Sequence, residues 1–151
     1  MLNRKGRFGV VRKLLRTTIA LVMLLEGVAF IAGAGLHLGL SLPGPFVESK
    51  SLPTALLEAG SGALLLIVVV AIAARYRRAW EIAIAAHVAG VTTIAFGIAT
   101  RGSSLASQVS HHPPMLLITM AALVALATPP CRSALESGRR RRNRHRVLQS
   151  L

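Results

Sequence analysis

The chain has no aspartate, one cysteine, one tryptophan and only five acidic side chains, all of them glutamate, in 151 residues. With Cys131 alone, no intrachain disulfide can form, which excludes a disulfide-stapled secreted miniprotein. Missing as well are a phosphate-cradling Walker A loop, a dinucleotide-binding G-x-G-x-x-G, a G-x-S-x-G nucleophile elbow and a zinc-protease H-E-x-x-H. Strand-like alternation is absent, so a β-barrel is excluded. No internal repeat is evident. The linkers between apolar runs are too short to fold a catalytic domain of their own.

What the chain does have is an uncommon pairing of properties. It carries 18 Lys+Arg, a formal charge of +13, and is 53% apolar with a mean hydropathy of +0.59. A soluble domain would need a large polar surface for the charge and a large core for the apolar residues. The two coexist when charges sit in tails and apolar residues form long runs. Arginine outnumbers lysine fifteen to three and alanine is abundant, a bias expected of a GC-rich bacterial genome.

Four apolar runs are present: Thr17–Leu40, Thr54–Ala74, Ala79–Thr100 and Pro114–Thr128. At ~1.5 Å per residue the first three reach the ~30 Å of a bilayer's hydrocarbon core. The fourth gives about 22 Å and reads as a short span. Pro113 and Pro114 suit its start, and Pro129 with Pro130 its stop. Sixteen of the eighteen cationic residues fall in residues 1–16, in the 75–78 linker or after Cys131, leaving only Lys50 and Arg101. The positive-inside rule then puts both termini in the cytoplasm, which needs an even number of spans. The expected fold is all-α: a four-helix transmembrane bundle, up-down-up-down, in the inner membrane. Residues 1–16 form a basic N-terminal tail, 17–128 the bundle and 129–151 a basic C-terminal tail. A cleaved signal peptide, with Ala32-Gly33-Ala34 as its processing site, is the weaker reading of the first run, which is too long and is interrupted by Glu26.

Ionisable residues inside the runs need explaining, because burying one in hydrocarbon is costly. Glu26 lies ten residues beyond Arg16, about 15 Å along a helix and near the midplane. His37, eleven residues on, falls within about 20° of the same helical face. His87, flanked by Ala83, Ala86 and Gly90, is the natural partner of Glu26 by depth. Glu58 and His37 lie near the outer ends of their runs, with His111 and His112 just outside the fourth. These four form a candidate outer cluster for a divalent metal, since imidazole and carboxylate suit zinc and imidazole also suits copper. Adjacent histidines rarely place both rings on one ion, and a wet interfacial loop is the simpler reading. Haem needs two imidazoles at one depth, which His37 and His87 do not supply. No resident cofactor is predicted; a divalent metal or haem stands as a lesser alternative.

The basic stretch SGRRRRNRHR sits directly inside the last span. Arg139, Arg140, Arg141, Arg142, Arg144 and Arg146 are expected to fix topology and to contact anionic lipid headgroups. No aromatic residue interleaves them, so a nucleic-acid partner is not expected. Glu81, after Arg77 and Arg78, needs no more than a surface salt bridge. Cys131 reads as an inert interfacial thiol.

The stretches LLEGVAFIAGAGLHLGL (24–40), PTALLEAGSGALL (53–65) and HHPPMLL (111–117) resemble small bacterial four-span membrane proteins of the DoxX-like kind. That resemblance implies an integral membrane bundle, sometimes associated with redox or quinone partners. No catalytic residue matches position by position, and none is carried over. The first expectation is a non-enzymatic bundle, or a subunit of a homo- or hetero-oligomeric membrane complex, whose polar residues fix helix packing. A proton-coupled transporter or channel using Glu26 and His87 is the second. A metal or quinone-linked redox protein built on His37, Glu58, His111 and His112 is the third.

Overall fold

The computed structural model describes residues 4–40, 50–99 and 112–136. Among them all regular secondary structure is helical: α1 (Arg4–His37), α2 (Leu52–Ala73), α3 (Ala79–Ala99), α4 (His112–Leu126) and α5 (Pro129–Leu135). Three helices are long and apolar enough to cross a membrane, and α4 with α5 makes a fourth if that bent pair counts as one span. His111 and the six tail arginines from Arg139 to Arg146 lie outside the described residues.

Burial is inverted relative to a soluble protein. Glu26, His37, Glu58, Ser61, His87, Thr93, His112 and Thr119 are buried, while Leu25, Val70 and Leu117 are about 70% exposed (69%, 67% and 72%). Water would penalise such a surface, whereas lipid solvates it and penalises the polar groups instead. These properties mark a multi-pass membrane protein.

Consecutive helices pack side by side, α1 on α2, α2 on α3 and α3 on α4, while α1 and α4 barely meet. Small residues set the closest contact. A side chain at Gly62 of α2 would lie 2.8 Å from the Gly27 carbonyl oxygen and 2.8 Å from Ile31 Cγ1 of α1. Glycine there lets the two backbones touch, as membrane helices without a hydrophobic drive between them require.

The 34 residues of α1 span about 51 Å, well beyond the hydrocarbon core, so its basic first part continues as helix outside the apolar run. The proline pair after α4 both ends that helix and opens another. Pro129 starts α5, which turns 79° from α4 and brings Cys131, Ala134 and Leu135 inward. Trp80 Nε1 donates to the Leu126 carbonyl at 2.9 Å, and the Arg132 guanidinium lies 4.5 Å from the Trp80 ring centre. These contacts hold the bend at the basic end of the bundle.

Two helix ends close alike with different residues. At the end of α1, Gly39 N donates to Leu36 O and Leu40 N to Gly35 O, with Gly39 left-handed at φ 88°. At the end of α2, Arg75 N donates to Ile72 O and Tyr76 N to Ala71 O, with Arg75 at φ 54°. Both are Schellman turns, whose left-handed position favours glycine. An L-residue there costs roughly 1–2 kcal/mol.

Candidate metal centre and buried proton pair

The first site is built where α1 ends and α2 and α4 begin. His37 is the last residue of α1 and His112 the first of α4. Glu58 lies in the second turn of α2, whose start is capped by the Ser51 side chain and tied to α1 by Ser51 N donating to His37 O at 3.1 Å. That tie fixes His37 beside the first turns of α2. On α2, Thr54, Ala55, Glu58, Ser61, Gly62 and Leu65 are buried at helical spacing. Glu58 therefore faces the bundle because its whole stripe does.

His37, Glu58 and His112 are all buried, and one ligand atom from each lies within 4.8 Å of the others. Glu58 Oε1 is 3.1 Å from His112 Nε2 and 3.8 Å from His37 Nε2. The two rings stand 5.6 Å apart, tilted by 54°. Helix α3 makes room for the third ligand: a side chain at Gly97 would collide with the His112 ring. For ligands about 2.1 Å from a tetrahedral ion, neighbouring donors stand about 3.4 Å apart. The two carboxylate-to-imidazole separations bracket that edge, and the third pair lies within 4.8 Å.

Nearer the basic end, His87 Nε2 of α3 lies 2.9 Å from Glu26 Oε2 of α1, and both residues are buried. His87 Nδ1 is 2.8 Å from the Ala83 carbonyl oxygen. A carbonyl only accepts, so Nδ1 carries a proton and donates it. Nε2 and Glu26 Oε2 thus form a buried imidazole–carboxyl contact, at ion-pair distance but without the alignment of a hydrogen bond.

Between these sites, Ser61 and Thr93 hydroxyls meet at 2.9 Å, buried across the α2–α3 contact. Ser61 is one helical turn from Glu58, and Thr93 is about 9 Å along α3 from His87. Phe30, fully buried, fills the notch at Gly90 between Thr93 and His87. On the far side of His87 a cavity of about 170 Å³, apart from Thr18 and His87 apolar-lined, opens between α1 and α4 and includes Met23, Leu126 and Cys131.

The structure thus brings together Glu26 with His87, and His37 with Glu58 and His112. Ser61, Thr93 and Gly97 were not singled out in the sequence. The first was legible in principle, since Glu58 and Ser61 share a face by their spacing of three; Gly97 matters only through the approach of α4. No family model, curated protein or solved structure matches the chain, so the sites stand on their own geometry.

Proposed function

We propose that this is a four-span protein of the bacterial inner membrane, up-down-up-down with cytoplasmic termini, that holds one divalent transition-metal ion at its outer end. The ligands are His37, Glu58 and His112. The observation that carries this reading is the meeting of two imidazoles and one carboxylate, from three helices, at spacings that suit tetrahedral coordination. Two histidines with one carboxylate suit zinc, and also ferrous iron with open positions. Three protein ligands leave a fourth position for water or an exchanging ligand. Orientation follows from the concentration of arginine and lysine at the opposite end.

Purified full-length protein in mild detergent, stripped with chelator and equilibrated with zinc or ferrous iron, is expected to retain one ion per chain by elemental analysis. Protein that keeps its helical circular dichroism but retains neither metal above the level of a His112→Ala control would overturn the reading.

A second reading rests on a separate observation, the buried contact of Glu26 with His87. Buried acids and histidines mark proton relays in membranes, and the Ser61–Thr93 pair lies between this contact and the outer site. In liposomes carrying a pH gradient, wild type is expected to pass protons faster than Glu26→Gln. Equal flux from the two would remove the relay.

A further inference from the structure

At the basic end of the bundle, α1, the α2–α3 turn and α5 surround a crevice of about 290 Å³ lined by Gly9, Arg12, Lys13, Arg16, Arg75 and Ala134. Four of its six lining residues are cationic and none is acidic. Arg16 immediately precedes the apolar run of α1 and Arg75 follows that of α2, so the crevice lies at headgroup depth rather than in the hydrocarbon.

Among the described residues every glutamate already has another partner. Glu26 pairs with His87, and Glu58 with His37 and His112. Glu81 lies 3.7 Å from Arg78, and Glu136 lies 3.0 Å from Arg132. Residues 137–151 add six arginines and no acidic side chain. No carboxylate among the described residues is left to supply the counter-charge, which points to another molecule.

Arg75 points the same way independently. It occupies the left-handed position of a Schellman turn, where the equivalent turn of α1 has glycine. The turn itself gains nothing from arginine, and the backbone is strained by it; strain of this kind collects at ligand clamps. Arg75 lines the crevice together with Arg12, Lys13 and Arg16, and like charges around one crevice are relieved when an anion sits among them.

We propose that this crevice binds the phosphate headgroup of an acidic phospholipid of the surrounding leaflet. Guanidinium groups recognise phosphate by paired N–H donors, and basic pockets between membrane helices on the cytoplasmic side suit phosphorylated lipid heads. The lipid's acyl chains lie along the exposed apolar faces of α1 and α2, which continue directly from the crevice. The proposal is independent of the metal and proton readings.

The test is native mass spectrometry of full-length protein in neutral detergent, titrated with cardiolipin, with phosphatidylcholine as the neutral control. Wild type is expected to retain cardiolipin and not phosphatidylcholine. Arg75→Gly is expected to bind about fivefold more weakly, and Arg12→Ala with Arg16→Ala about 25-fold more weakly, one headgroup contact per cation removed. Because glycine suits the turn better, Arg75→Gly should melt at or above the wild-type temperature with its metal content unchanged, so weaker lipid binding cannot be blamed on misfolding. A variant ending at Glu136 should keep the difference between wild type and Arg75→Gly. Equal lipid retention by wild type and Arg75→Gly would overturn the proposal. So would stabilisation by millimolar inorganic phosphate equal to that by cardiolipin, which would assign the crevice to a free anion.

Discussion

Glutamine in place of Glu58 is expected to weaken zinc binding by more than about a hundredfold, since loss of a residue that merely supports a ligand already costs 10–100-fold. Glu58 is the one anion of the outer site, and its Oε1 is the atom nearest both histidine rings. Glutamine keeps its size and one oxygen, so the packing of α1, α2 and α4 around position 58 should survive. What disappears is the charge. Two neutral imidazoles and an amide would have to hold a dication in a buried setting without compensation, which is unfavourable. Competition against a chelating dye measures the affinity, and circular dichroism with a melting curve confirms the fold. The pH dependence has a definite sign: the metal requires unprotonated imidazoles and an ionised carboxylate, so affinity falls as pH falls, by about tenfold per unit for each proton displaced. Affinity equal to wild type would mean that Glu58 is not a ligand and serves only as a polar clasp between helices.

Much of this architecture is written in one-dimensional quantities. Run length, the placement of arginine and the spacing of Glu26 and His37 depend on the helical repeat alone. The depth match of Glu26 with His87 could be read because both sit on long helices whose ends are set by hydropathy. The outer site was harder. His37 and Glu58 were legible as a pair at one end, but the choice of His112 depends on where α4 begins and on the gap left by Gly97, and neither follows from periodicity. The α5 helix was hidden by its prolines, which read as a stop and also furnish the first turn of the next helix. Arg75 was legible only as a topology charge. Its left-handed backbone and its place in the crevice come from how α2 ends, a three-dimensional fact that charge counting does not contain.

Removing one member of the Glu26–His87 pair should cost stability, and removing both should restore much of it. In Glu26→Leu the His87 Nε2 remains buried with its carboxyl partner gone; in His87→Leu the carboxyl group is left in the same position. Either survivor can become neutral by releasing or taking a proton, which limits the loss to the cost of an unsatisfied buried group, about 1–3 kcal/mol. With both replaced by leucine no polar group is stranded, and apolar replacement of a buried pair is often neutral or stabilising. The double variant is therefore expected to be more stable than either single variant, with a coupling energy on the order of 2 kcal/mol for residues in direct contact. Reversible unfolding in mixed detergent gives the four stabilities. Proton flux separates what stability alone leaves joined. A relay through this pair requires the double variant to fold well and conduct no better than Glu26→Gln. A pair kept only for helix register allows the double variant to match wild type in both measurements. Additive losses, with no recovery in the double variant, would mean that Glu26 and His87 are not coupled despite their contact.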